Sequence, residues 1–210
     1  MNVNTYDENL CLFFQALRNV ERKYVFCWQE AYKEKEEPNI IEQCERVYAY
    51  ELYRQWENIL ENHKSEFVLN GEPSKHISVF DETKKEDRFP DLVLHHGQGK
   101  TSGHEIVCEI KRRSNIGNNK LEGDIDKLNI FTTSGYSYHW GILLIYGLND
   151  SNCAESSFDI IREKYFQQCS AFSDDAKKKI LIVDLKYPND KSEKEVYPEF
   201  QFKSMKEILE

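Results

Sequence analysis

Helix-period and strand-period stretches alternate along this chain, and the alternation predicts an α/β fold: a mixed central sheet flanked by helices, with a helical extension at the N-terminus. Three observations carry that expectation. Two amphipathic stretches open the chain, three strand-like runs follow, and the remainder reads helix, strand, helix, strand.

Thr5 followed by Glu8 is a capping-box pattern, and behind it Leu10, Phe13, Leu17, Val20, Tyr24, Cys27 and Ala31 recur at steps of three and four. This predicts one long amphipathic helix ended by the charged run KEKEEP, so residues 1–37 read as the extension and 38–210 as the main domain. Pro38 opens the second helix at a favoured first-turn position, and that helix runs from about Asn39 to Asn62. Ile40, Cys44, Val47, Tyr48 and Ile59 mark its apolar face, with Glu51 in the middle of it.

FVLNG from Phe67 is a short strand closed by Gly71 and Pro73. After the polar DETKKEDR, the run Leu92-Val93-Leu94 in RFPDLVLHH is a near-continuous apolar strand, and HEIVCEIK reads as its hairpin partner across GQGKTSG. Leu121, Ile125, Leu128 and Phe131 mark a third helix, GILLIYG a buried strand, Ser157 to Cys169 another helix and Ile180 to Leu185 another strand. EVYPEFQF adds an edge strand or a docking segment. No internal repeat is visible.

Composition bounds the function. At 40% hydrophobic and 13% aromatic, 210 residues can bury a sizeable core, which excludes a disordered chain. The six cysteines form no CxxC pair, and the N-terminus lacks a basic-then-apolar signal, so free thiols and a reducing, cytoplasmic compartment are expected. The runs ILLIY and ILIV are too short to cross a bilayer, so no membrane partner is expected. A net charge of -9 argues against holding nucleic acid by bulk electrostatics. A divalent metal in an acidic site reverses the local field and removes that objection.

The chemistry concentrates in the predicted hairpin. Side chains alternate along a strand, so Glu109 and Lys111 share one side while Ile110 points to the other. Asp91 starts the preceding strand, within reach of that pair. Carboxylate oxygens suit Mg²⁺, with Mn²⁺ as a substitute. Such an ion polarises a phosphate oxygen and helps generate hydroxide, while Lys111 orients or deprotonates the water and balances developing charge. A lone Pro-Asp is usually a turn and a lone ExK usually a solvated pair. Both together on adjacent apolar strands favour a phosphodiesterase site.

Pro90-Asp91 and Glu109-Ile110-Lys111 resemble the signature of the PD-(D/E)XK nuclease superfamily, the restriction-endonuclease-like fold. About Asn39 to Gly147 follows that family's core order of helix, three strands, helix, strand. The resemblance implies a nuclease-like domain over 38–210 whose metal is held by Asp91, Glu109 and the main-chain carbonyl of Ile110. It also implies an acidic residue from the preceding helix, a role Glu51 would fill as catalytic helper and further metal ligand. Glu51 has separate support, since a carboxylate on an apolar helix face is costly unless paired or metal-bound; a buried Glu bonded to Tyr or Arg is the ordinary alternative.

Further residues are weighed around that trio. GQGKT resembles the end of a phosphate loop but has Leu94 where a glycine is needed, so a hairpin turn is the better reading, with Lys100 kept as a phosphate contact. His95, His96 and His104 fit no familiar zinc spacing, and only His95, on the strand face of Asp91, is kept as support. Asp124 and Lys127, one helical turn apart, are a structural pair or a support for the site. Arg112 and Arg113 would meet a passing nucleic-acid backbone or simply be solvated. Tyr136, Tyr138 and Trp140 are stacking candidates, though such a cluster is more often core. The residues point to Mg²⁺-assisted phosphodiester hydrolysis, and the resemblance implies a nuclease, with DNA a better candidate substrate than RNA. The alternative is an inactive nuclease-like module for protein or nucleic-acid binding, with a homodimer through the first helix's stripe.

Overall fold

The computed structural model describes residues 7–29, 39–42, 44–71, 90–96, 103–116, 120–133, 137–149, 156–188 and 198–210. Thr5 and Pro38 lie outside them. Helix α1 (Glu8–Asn19) is capped by Asp7, whose carboxylate accepts the Leu10 amide at 2.8 Å. It ends well short of KEKEEP. From Tyr24 the chain carries the run YVFCW, aromatic and β-branched residues that pack better on a pleated surface than around a helix. A 3-10 turn (Arg22–Tyr24) therefore leads into strand β1 (Phe26–Gln29), paired antiparallel with β2 (Asn39–Glu42). For the same reason the second helix does not begin at Asn39. The pair Ile40-Ile41 is in β2, and α2 (Glu45–Asn62) starts after Cys44.

The strands of the main sheet follow the periodicities closely. They are β3 (Phe67–Gly71), β4 (Leu92–His96), β5 (His104–Arg112), β6 (Trp140–Asn149), β7 (Ile180–Pro188) and β8 (Glu199–Ser204). They lie in that spatial order, with β3/β4, β4/β5 and β7/β8 antiparallel and β5/β6 and β6/β7 parallel. EVYPEFQF thus supplies an edge strand. Helix α3 (Lys120–Thr133) connects β5 to β6, and α4 (Ser157–Ser170) with α5 (Asp174–Lys179) connects β6 to β7. The short α6 (Met205–Leu209) closes the chain behind a capping box at Ser204 and Glu207.

Alternation along the strands sorts the core into two layers. Ile142, Leu144 and Tyr146 of β6 face α1 and α2 with Ile106, Cys108 and Ile110, while Leu143 and Ile145 face α3 and α4 with Val107 and Ile182. Both parallel crossovers step the same way along the sheet, which puts their helices on one face when each is right-handed. The architecture is a mixed α/β one, a six-stranded mixed sheet flanked by helices.

Helix α1 belongs to the first layer. Leu10, Phe13 and Leu17 are buried against Trp56 and the sheet, so the stripe that would serve a helix-mediated dimer is used within the chain. Among the described residues, no helix is long and apolar enough to cross a membrane.

Candidate active site

Asp91 immediately precedes β4, and its Oδ2 accepts the Ile110 amide at 2.7 Å. The register behind this is Leu92 opposite Cys108, which sets the residue before β4 against the Glu109-Ile110 step of β5. Glu109 and Lys111 face the α3 side and Ile110 the other, as alternation requires.

On the α3 side the pair meets Asp124 and Lys127, which share a helix face one turn apart. Lys127 Nζ lies 2.6 Å from Glu109 Oε2 and 2.9 Å from Asp124 Oδ1, and Lys111 Nζ lies 2.8 Å from Asp124 Oδ2. Lys111 also comes within 3.7 Å of Glu45 Oε2, from the first turn of α2. Four carboxylates (Asp91, Glu109, Asp124, Glu45) thus gather around two ammonium groups, with the Arg112 guanidinium 4.0 Å from Glu45.

Burial sets the electrostatics. Glu109 is 1% exposed, and desolvation pushes its carboxyl well above the usual range against the pull of Lys127. Its Oε1 is buried without a hydrogen-bond partner. Burial also raises Asp91, with the Ile110 amide and the lysine charges acting against it. For Lys111 burial opposes the charge, but Asp124, Glu45 and Asp91 together outweigh it and the ammonium is held above its ordinary pKa. Lys111 is therefore suited to orienting a water and balancing negative charge, not to accepting a proton.

Glu51 does not join this group. It is 4% exposed and satisfied on its own helix: Oε1 accepts Arg54 Nη2 at 2.6 Å and Gln55 Nε2 at 2.7 Å, and Oε2 accepts Arg54 Nε at 2.9 Å. Burial acts to raise its pKa, yet the Arg54 and Gln55 bonds bring it below the usual range. The α2 carboxylate that reaches the cluster is Glu45, whose Oε1 also accepts the Arg112 amide at 3.1 Å and Asn115 Nδ2 at 2.9 Å. A helix start placed at Asn39 put Glu45 in mid-helix and hid it. Its position in the first turn was the signal that a correct start would have exposed.

The remaining candidates divide. Arg113 is buried with its guanidinium on Asp184 of β7, an ion pair that takes it out of reach of a passing backbone. Arg112 stands beside Glu45 at the end of β5. His95 is held by Asn70 and His96: its Nδ1 lies 2.6 Å from the His96 carbonyl and its Nε2 2.5 Å from Asn70 Nδ2. Tyr138 is buried against Phe131 and His104, and the Trp140 indole N–H donates to Asp7. Lys100 and Tyr136 lie outside the described residues.

Asp91 and Ile110 line a cleft of about 970 Å³ between the start of α2 and the ends of β3, β4 and β5. At the other end of β5, Asp7, Glu105 and His139 bring ligand atoms within 4.8 Å of one another, a grouping that no spacing along the chain suggests. Glu105 is the extra residue where the β4/β5 register shifts, since His95 pairs with His104 and Leu94 with Ile106. Asp7 is already engaged there as the α1 cap and by Trp140. No protein-family model matches the chain, and no curated protein or solved structure is significantly similar to it.

Proposed function

We propose that this chain is a metal-dependent phosphodiesterase of the PD-(D/E)XK nuclease type, hydrolysing nucleic acid, with DNA the expected substrate. One observation carries the reading: the Asp91 carboxylate is bonded to the Ile110 amide, midway between Glu109 and Lys111, at the edge of an open cleft. The succession α2, β3, β4, β5, α3, β6 also agrees with the helix, three strands, helix, strand order of that superfamily's core.

The donor set fits a hard divalent cation. The groups are carboxylates, they outnumber the ammonium groups, and Glu109 Oε1 is buried with a lone-pair site unused. Asp91 and Glu109, with the Ile110 main-chain carbonyl, would hold Mg²⁺ or Mn²⁺. Bound there, the ion supplies polarisation of a phosphate oxygen and acidifies water. Lys111, held protonated, orients the attacking water and balances the charge that develops on the phosphate. Asp124 fixes both lysines, and Lys127 holds Glu109 in its buried rotamer.

The test is incubation with plasmid, linear and single-stranded DNA and with RNA, in Mg²⁺ or Mn²⁺, beside Asp91→Ala and Lys111→Ala. Metal-dependent cleavage lost in both variants is expected. Cleavage surviving either substitution sinks the assignment.

A second reading, an inactive nuclease-like binding module, is favoured by Lys127, whose ammonium already occupies Glu109 Oε2. Absence of both cleavage and metal binding would select it.

A further inference from the structure

We propose that the cleft beside Asp91 receives an unpaired or terminal nucleotide whose base stacks on Tyr50, making single-stranded nucleic acid the preferred substrate. This rests on the nucleic-acid reading above and names the substrate class of the same site. Tyr50 is 62% exposed, one of the few large hydrophobic side chains so exposed among the described residues, and it lines the cleft that Asp91 and Ile110 also line. A ring left in water at the mouth of a cleft is available as a platform.

Two arginines, Arg46 and Arg112, line the cleft beside two carboxylates, Glu45 and Asp91, so a divalent cation on the carboxylates would turn the balance positive for a phosphate backbone. Arg46 precedes Tyr50 by one helical turn, so the two share a face of α2, and both line the cleft. Arg112 and Asn115 line it from the end of β5. Glu45 ties these parts together by accepting the Arg112 amide and Asn115 Nδ2 while standing 3.7 Å from Lys111 Nζ. Aromatic platforms beside basic side chains are the arrangement that single strands use, and here they share a cleft with Asp91.

Stacking decides between single and double strands. Inside a duplex both faces of each base are covered by neighbours, so only an unpaired or terminal base can lie on Tyr50 without first being unstacked, at a cost of a few kcal/mol. The cleft, at about 970 Å³, is also at the upper end of small-ligand pocket sizes.

The test uses the full chain, a short single strand carrying 2-aminopurine, and a covalently closed circular duplex containing the same sequence, which offers no terminal base. Binding is measured in Ca²⁺, which supplies the divalent charge in a looser coordination. The single strand should bind more tightly than the duplex, with quenching of the 2-aminopurine. Tyr50→Ala should lose about 5- to 150-fold in affinity and the quench with it, while Tyr50→Phe keeps both. Arg46→Ala should lower the slope of log affinity against log salt by about 0.7, the share of one phosphate on a single strand. Equal binding of duplex and single strand, or wild-type binding by Tyr50→Ala, overturns the inference. Tyr50-dependent binding without hydrolysis in Mg²⁺ supports the stacking site and overturns the phosphodiesterase reading. Single-strand cleavage by Tyr50→Ala at the wild-type rate does the reverse.

Discussion

Lys127 Nζ lies 2.6 Å from Glu109 Oε2, so a lysine one strand-to-helix crossover away neutralises the most buried carboxylate of the candidate site. Lys127→Met should destabilise the protein by about 3 kcal/mol, because it leaves a buried charge without its partner. Urea unfolding measures the loss, and Mg²⁺ should restore part of it in the variant while doing less for the wild type. An unchanged midpoint would mean that Glu109 is protonated in the native protein.

Arg113 and Asp184 form the second buried pair, and Gly147 of β6 makes room for it. A Cβ at Gly147 would meet Arg113 Cβ at 2.8 Å, closer than such atoms approach. Gly147→Ala should therefore cost about 1–3 kcal/mol by overpacking. Asp184→Ala, which strands the guanidinium, should cost about 3–5 kcal/mol. Melting curves that leave both variants at the wild-type temperature would contradict this packing.

Glu51 predicts a pH dependence. Its folded pKa is lowered by Arg54 and Gln55 despite burial, whereas in the unfolded chain a glutamate titrates at about 4.3. Its stabilising contribution is present above that value and is lost as pH falls through the folded pKa. Glu51→Gln should flatten the fall in stability on acidification below about pH 4.3, as followed by denaturation at a series of pH values. A variant as acid-sensitive as wild type would show that Glu51 carries no linkage.

Thiol labelling reports on the cleft. Cys44 is exposed at the start of α2 and lines the cleft, whereas burial pushes Cys169 up to about 12 and Cys108 well above its ordinary range. A disulfide reagent should modify Cys44 in the native protein and reach Cys108 and Cys169 only after unfolding. The adduct on Cys44 should weaken binding of the single-stranded probe. Equal native reactivity of Cys108 would refute its burial in the first layer.

The hairpin was legible because β4 and β5 are apolar strands whose alternation admits only one sensible pairing. The sharing of a side by Glu109 and Lys111 followed from a period of two, and Asp91 from its place at the strand start. The beginning of the chain was misread for a physical reason. Steps of three and four among Val20, Tyr24 and Cys27 look helical, yet the same residues form a β-prone run, and pairing of β1 with β2 decides between them. That error displaced the start of α2, whereas Glu51 does interrupt an apolar face and is satisfied there by Arg54 and Gln55.

The trio Asp91, Glu109 and Lys111 is what the sequence by itself determined, together with the mixed sheet between helices, because both depend on local alternation and on residues near in the chain. Only the tertiary structure decided which charges meet. Lys127 on Glu109, Asp124 between two lysines, Glu45 on the end of β5 and Arg113 on Asp184 all join separate elements. Those meetings depend on how helices cross a twisted sheet, and no periodicity along the chain encodes the distance between side chains that packing brings together.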